Sequence, residues 1–144
     1  MTNHLYDLLR SRASADDKVC IALTSAVRWT YGDLHDGAGA IANLLVSLGV
    51  APGDRVAAQV EKSPEAVLLY LGCVRAGAIF LPLNTAYTPA EIAYFLTDAE
   101  PKVFVCDPSR KALLLGAAGA AKVAHVETLG AEGEGSLVDR AALM

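Results

Sequence analysis

Charge is scarce in this sequence: Asp, Glu, Lys and Arg make up 19% of the 144 residues, while 53% are hydrophobic. Soluble proteins carry about 25% charged residues, so an unusually large share of this chain has to be covered by its own fold or by a partner. Basic runs are lacking, the longest being the pair Arg110-Lys111, and the formal net charge is −4. Nucleic acid or an anionic membrane surface would need a concentrated positive face, so neither is an expected partner. Cysteine is rare as well. Cys20, Cys73 and Cys106 are odd in number, far apart and set in apolar runs. That pattern excludes a disulfide framework and a thiolate metal site, and reads as buried free thiols in a reducing compartment. Charges interrupt Met1 to Asp17, so no secretory leader is evident, and no apolar stretch reaches membrane-spanning length. A cytoplasmic protein is expected.

Catalytic sets are missing too. No serine sits in a nucleophile elbow and no cysteine has an activating neighbour. His4, His35 and His125 lack acidic or thiol partners at ligand or triad spacing, except that Glu127 would share a strand face with His125. Ordinary surface or core histidines explain them better. Gly37-Ala38-Gly39-Ala40-Ile41-Ala42 fits a dinucleotide fingerprint in letters only, because it lies two turns inside a helix and not at a strand-to-helix turn. Close helix packing is the better reason for these glycines. Gly116 to Lys122 lacks the spacing of a phosphate loop and the hydroxyl residue after its lysine. No residue is assigned a catalytic, cofactor-binding or metal-binding role.

The sequence does contain a regular alternation of elements. A short helix is expected over Met1 to Arg12, and the β-prone runs Val19 to Leu23 and Val27 to Thr30 suggest a hairpin. Thr30 and Asp33 open an amphipathic helix with the stripe Leu34, Ala38, Ile41, Leu45 and Leu48, which Gly49 ends. A strand follows over Arg55 to Val60. Ser63-Pro64-Glu65 caps a helix to Ala76 that is apolar on nearly every side, and therefore expected to be buried. Ala78 to Leu83 reads as a strand buried on both faces. Thr88-Pro89-Ala90-Glu91 is a capping box that starts a helix with the stripe Ile92, Phe95, Leu96 and Ala99, stopped by Pro101. Val103 to Cys106 is another buried strand, Asp107-Pro108 opens a helix, and Val123 to Val126 reads as a last strand. Gly130 to Gly135 resembles a mobile, surface-exposed linker, and a helix starts at Ser136.

Strands alternating with helices call for a mostly parallel sheet with helices on both faces, preceded by the small hairpin: an α/β class, with residues 1–144 forming a single unit. Ligands of open parallel sheets bind beyond the carboxyl ends of the strands, here Glu61-Lys62-Ser63, Asn84-Thr85-Ala86-Tyr87 and Asp107. These residues either line a ligand crevice or simply cap helices and fill turns, and capping accounts for them without a ligand.

Trp29-Thr30-Tyr31, Gly53-Asp54-Arg55-Val56-Ala57, Ser63-Pro64-Glu65-Ala66, Arg75-Ala76-Gly77-Ala78, Leu81-Pro82-Leu83-Asn84 and Pro101-Lys102-Val103 occur in an order and spacing that resemble the opening of adenylate-forming (AMP-binding) enzymes. That superfamily contains acyl-CoA synthetases, luciferases and nonribosomal adenylation domains, and the resemblance spans residues 19–129. Glu61-Lys62-Ser63, Leu69-Tyr70-Leu71, Asn84 to Thr88, Asp98 to Pro101, Val105 to Pro108 and Val126 to Gly130 are similar to malonyl-CoA synthetases in particular.

The resemblance implies an acid–CoA ligase that uses ATP, magnesium and CoA, with malonate the favoured acid and methylmalonate or another short acid also open. It also implies that the family's phosphate loop and C-terminal domain lie beyond residue 144, so that the chain is an N-terminal fragment, inactive alone, whose main partner is the rest of its parent. Bare apolar faces on such a fragment are expected to self-associate. A stand-alone, non-catalytic α/β binding module is the competing reading, and a dinucleotide-binding subdomain fails on the position of its glycines.

Overall fold

The computed structural model describes residues 4–144. Helix α1 runs over His4–Arg12, and the expected start at Met1 falls outside the described residues. Strands β1 (Val19–Ala22) and β2 (Arg28–Thr30) form the antiparallel hairpin, with Val19 opposite Thr30. Thr30 then caps α2 (Tyr31–Ser47): its hydroxyl accepts from the Asp33 amide at 3.1 Å, and the Asp33 carboxylate accepts from the Thr30 amide at 2.8 Å. The Thr30 amide, with the Thr30 hydroxyl donating to the same carboxylate oxygen at 2.9 Å, holds the Asp33 carboxyl below its ordinary range. Four further strands follow, each after a helix or turn: β3 (Arg55–Gln59), β4 (Ile79–Pro82), β5 (Val103–Cys106) and β6 (His125–Thr128). Between them lie α3 (Pro64–Ala76), α4 (Pro89–Ala99) and α5 (Lys111–Ala120), the last entered through a 3-10 turn over Pro108–Arg110, and α6 (Ser136–Ala141) closes the described chain.

All pairings in the larger sheet are parallel, in the order β4-β3-β5-β6. Successive side chains of a strand point to opposite faces, and here this alternation divides the core. Val56, Ala58, Val103 and Val105 meet Ile41, Leu44 and Leu45 of α2, Leu69 and Cys73 of α3, and Leu137 of α6. Ala57, Phe104 and Cys106 meet Ile92 and Leu96 of α4 and Leu114 and Ala118 of α5 on the other face. The α/β class and two-sided covering expected from the sequence are therefore present.

Helices α2 and α3 lie so close that their small residues are obligatory. A Cβ on Gly72 would stand 2.5 Å from Ile41 Cγ2, and one on Gly37 would stand 2.7 Å from Leu68 Cδ1. Gly37, the first glycine of the false dinucleotide fingerprint, thus packs against α3, whereas a Cβ on Gly39 would meet only the flexible end of Arg75.

Several expectations need correction. Strand β4 is an edge strand and not a doubly covered one, with Ile79 52% exposed. Helix α3 flanks that edge and leaves Val67 and Tyr70 partly open instead of being buried all round. The last strand begins at His125, two residues later than expected, because the Val123 amide is used to close α5 through the Ala118 carbonyl at 3.0 Å. Cys73 and Cys106 are buried free thiols, but Cys20 is only half-buried.

Gly130 to Gly135 is a packed turn and not a loose linker. Gly130 is buried, its amide donates to the Glu134 carbonyl at 2.8 Å, and a Cβ on Gly135 would meet the Thr128 carbonyl oxygen at 2.4 Å. No helix among the described residues is long and apolar enough to cross a membrane.

Candidate functional site

Where β3, β4 and β5 end, the chain turns outward and its polar residues collect. Gln59, Glu61, Thr85, Asp107, Ser109 and Arg110 line a cleft of about 220 Å³ at that carboxyl edge. Gln59 is the last residue of β3 and only 1% exposed. Its Nε2 donates to the carbonyls of Asn84 at 2.8 Å and Tyr87 at 3.3 Å, while its Oε1 is buried without a partner. From the 3-10 turn after β5, Arg110 reaches the same loop, donating through Nη1 to the Thr85 carbonyl at 2.9 Å and through Nη2 to the Tyr87 carbonyl at 3.1 Å. Two side chains from different strand ends therefore fix the loop 84–87 by its backbone. Within that loop the Asn84 carboxamide accepts from the Ala86 amide at 2.9 Å, and Tyr87 stacks on Phe95 with centroids 4.9 Å apart.

The remaining strand-end residues cap helices. Asp107 accepts from the Ser109 amide at 2.8 Å, Ser63 from the Ala66 amide at 3.1 Å, and Thr88 shares a capping box with Glu91. Lys62 and Ser63 do not line this cleft; they border an apolar groove beside β4. Of the expected strand-end residues, the structure brings Glu61, Thr85 and Asp107 together.

Sequence reasoning missed Gln59 and Arg110. A lone amide in the apolar strand Arg55 to Val60 was the available signal for the first, whereas nothing local marks an arginine that bonds carbonyls 23 and 25 residues away. Also unforeseen was the network at the end of β6. The Glu127 carboxylate, 4% exposed, pairs with Arg140 and accepts from the Ser136 hydroxyl, and the Thr128 amide donates to that same hydroxyl at 3.0 Å. This is where the acid beside His125 spends its charge.

The cleft has hydrogen-bonding walls but no nucleophile set against a base. Its nearest thiol is inert: burial pushes Cys106 up to about 11, and Cys73 up to about 12, so both stay protonated and unreactive near neutrality. Among the described residues no three His, Cys, Asp or Glu side chains cluster closely enough to hold a metal ion. The hydrogen-bonding walls of the cleft can orient a polar group.

Comparison with known proteins is consistent with this arrangement. The model of the family described as AMP-binding enzyme matches residues 9–141. MatB from Rhodopseudomonas palustris, in its apo crystal structure, shares 50% identity over 99% of this chain, with a TM-score of 0.90 and 28% of its own length covered. The oxalate–CoA ligase of Arabidopsis thaliana is 33% identical over 76% of this chain and 22% of its own length. The long-chain-fatty-acid–CoA ligase FadD13 of Mycobacterium tuberculosis is 33% identical over 68% of this chain and 20% of its own length. The chain thus spans between a fifth and just over a quarter of these relatives, and through a match covering nearly all of its residues it belongs to the AMP-binding enzyme family.

Proposed function

We propose that this chain is the N-terminal portion of an AMP-forming acid–CoA ligase whose preferred acid is malonate. One observation carries the reading: 50% identity along 99% of the chain with MatB, a malonyl-CoA synthetase, against 33% for the oxalate–CoA and long-chain-fatty-acid–CoA ligases. In the reaction a carboxylate oxygen attacks the α-phosphorus of ATP, expelling pyrophosphate and leaving an acyl-adenylate. The CoA thiol then attacks the acyl carbon, loses its proton and expels AMP. The 144 residues contribute scaffold to this chemistry. Gln59 and Arg110 pin the loop 84–87 as a wall of the strand-end crevice, so that a bound substrate meets a preset backbone surface. Magnesium, which the family resemblance implies, finds no fitting set of ligands among the described residues.

On this reading the 144-residue chain alone makes no adenylate. AMP formation is to be assayed for this chain and for a longer protein carrying it, across malonate, methylmalonate, acetate and longer acids. The longer protein is expected to form AMP in a malonate-dependent manner and the short chain to form none. Activity with only other acids would discard malonate, and pyrophosphate release by the short chain would overturn the scaffold role.

The β4 edge gives this reading a physical corollary. Ile79-Phe80-Leu81-Pro82 has an unpaired side and carries no charge to discourage pairing, and beside it lies an apolar groove of about 340 Å³ that includes Val67, Tyr70 and Phe80. In the whole enzyme the remaining chain covers this face; in the isolated chain a second copy takes its place. Sedimentation should show a concentration-dependent dimer that Ile79→Lys shifts toward monomer. A monomer at every concentration would count against the corollary.

A further inference from the structure

We propose that the contact of Tyr6 with His35 and Arg75 is an acid-sensitive latch, which holds α1 against α2 and α3 and releases it when the imidazole gains its second proton. Helix α1 is weakly anchored. Tyr6 is its one buried side chain, whereas Leu5, Leu8 and Leu9 remain largely exposed.

Contacts from both neighbouring helices seat Tyr6. Its hydroxyl lies 3.1 Å from His35 Nδ1, and the two rings meet edge-on with centroids 6.1 Å apart. Arg75 of α3 places its guanidinium 5.2 Å from the Tyr6 ring centroid, and its Nη1 also donates to the His35 carbonyl at 3.1 Å. Residues of α1 and α3 thus meet at His35 of α2, Tyr6 on its ring and Arg75 on its carbonyl.

The other nitrogen of that imidazole gives the latch its polarity. His35 Nε2 is buried and has no hydrogen-bond partner. It belongs to a residue that lines, with Leu8, Leu9, Leu34 and Leu71, an apolar groove of about 650 Å³. A neutral imidazole fits this setting, since the tyrosine hydroxyl can serve Nδ1 as donor or acceptor. An imidazolium does not. Both of its nitrogens carry hydrogens, so the Nε2–H would be a charged donor with no acceptor among leucines.

Charges of both signs surround His35. Burial acts most strongly against protonation, and Arg10 and Arg75 add to it; Asp16 and Asp36 act in the opposite sense, but Asp16 is held by Arg10 at 2.8 Å. Arg12 also borders the groove. The docked imidazole is therefore harder to protonate than its ordinary 6.5. The sign follows from linkage. A group that prefers to stay neutral when docked leaves docking at full strength above 6.5 and weakens it as pH falls below that value. With one proton linked, the ratio of docked to released α1 drops about tenfold per pH unit, down to the docked pKa. Release admits water to Nε2 and uncovers Leu34 and Leu71.

Amide NMR spectra of this chain, recorded from pH 8 to pH 5, test the latch. Signals of α1 should move in one transition that begins near pH 6.5 and follows the His35 ring proton, with the signals of β3 and β4 unchanged. The sequence has two further histidines, His4 and His125, so His35→Gln, which cannot take the charge, isolates the effect: α1 should stay docked throughout. The same transition in His35→Gln, or α1 signals that ignore the titration of His35, would overturn the proposal. Should His35→Gln fail to fold, Arg75→Gln decides. Removing that positive charge should raise the midpoint toward 6.5, and an unmoved midpoint would overturn the latch.

Discussion

Truncating Phe104 to alanine is expected to destabilise the chain by about 3–5 kcal/mol, the range observed for aromatic core residues. Small domains have only about 5–15 kcal/mol in all, so this one change takes much of the margin. Phe104 carries the largest fully buried side chain among the described residues. It sits in β5, between β3 and β6, with backbone partners on both sides, Ala57 and Val126. Its ring fills the face shared with Ile92, Leu96 and Leu114. Nothing there can collapse into the void, because strand neighbours fix the backbone, a capping box sets the start of α4, and the Asp107-capped 3-10 turn leads into α5. Denaturant unfolding checks this. The midpoint should fall sharply at unchanged slope, and Phe104→Leu, which refills most of the volume, should recover more than half of the loss. A loss below about 1.5 kcal/mol for the alanine variant would mean that the site relaxes as volume-conserving swaps do, and that the α4–α5 face is softer than its burial indicates.

What could be read from the sequence was whatever is decided within a few residues. Thr30 with Asp33 and Thr88 with Glu91 form the capping boxes that their spacing announces, and Ser63-Pro64 opens α3 as its residue types require. Errors arose where a distant element decides. A continuous apolar run cannot distinguish a central strand from an edge strand, since that depends on the order β4-β3-β5-β6, and both β4 and the outer side of α3 were misread for this reason. Composition also misled at Gly130 to Gly135. Glycines that usually loosen a chain are needed here because Gly135 lies against the backbone of Thr128, leaving no room for a side chain.

The candidate cleft divided in the same manner. The rule that ligands sit beyond strand carboxyl ends selected Glu61, Thr85 and Asp107, but not the two residues that hold the loop in place. Gln59 and Arg110 act on carbonyls 23 to 28 residues away, and bonds from a side chain to a distant backbone leave no mark on local sequence. Family resemblance supplied what periodicity could not, by pointing to the AMP-binding enzyme family to which the chain belongs.

The buried carboxylate of Glu127 leads to the second large effect. Arg140→Ala is expected to cost about 2–3 kcal/mol, below the 3–5 typical of a broken buried pair because the arginine side is itself 45% exposed and partly screened by water. The loss comes from leaving a charge in a 4% exposed site with only the Ser136 hydroxyl to meet it. Helix α6 depends on this network. It is six residues long, its N-cap Gly135 provides no side-chain bond, and Ser136 and Thr128 instead exchange bonds across the turn, the Ser136 amide donating to Thr128 Oγ1 at 2.9 Å. Glu127→Gln removes the charge and keeps the shape, so it should cost less than Arg140→Ala, and the double variant should cost far less than the two single losses added together. Unfolding of all four proteins gives the coupling directly, and about 1–2 kcal/mol is expected, well above the 0.3–0.5 within which independent sites add. Additive losses would show that the arginine packs over α6 without neutralising the carboxylate, and that the helix is held by Leu137 and the serine–threonine exchange alone.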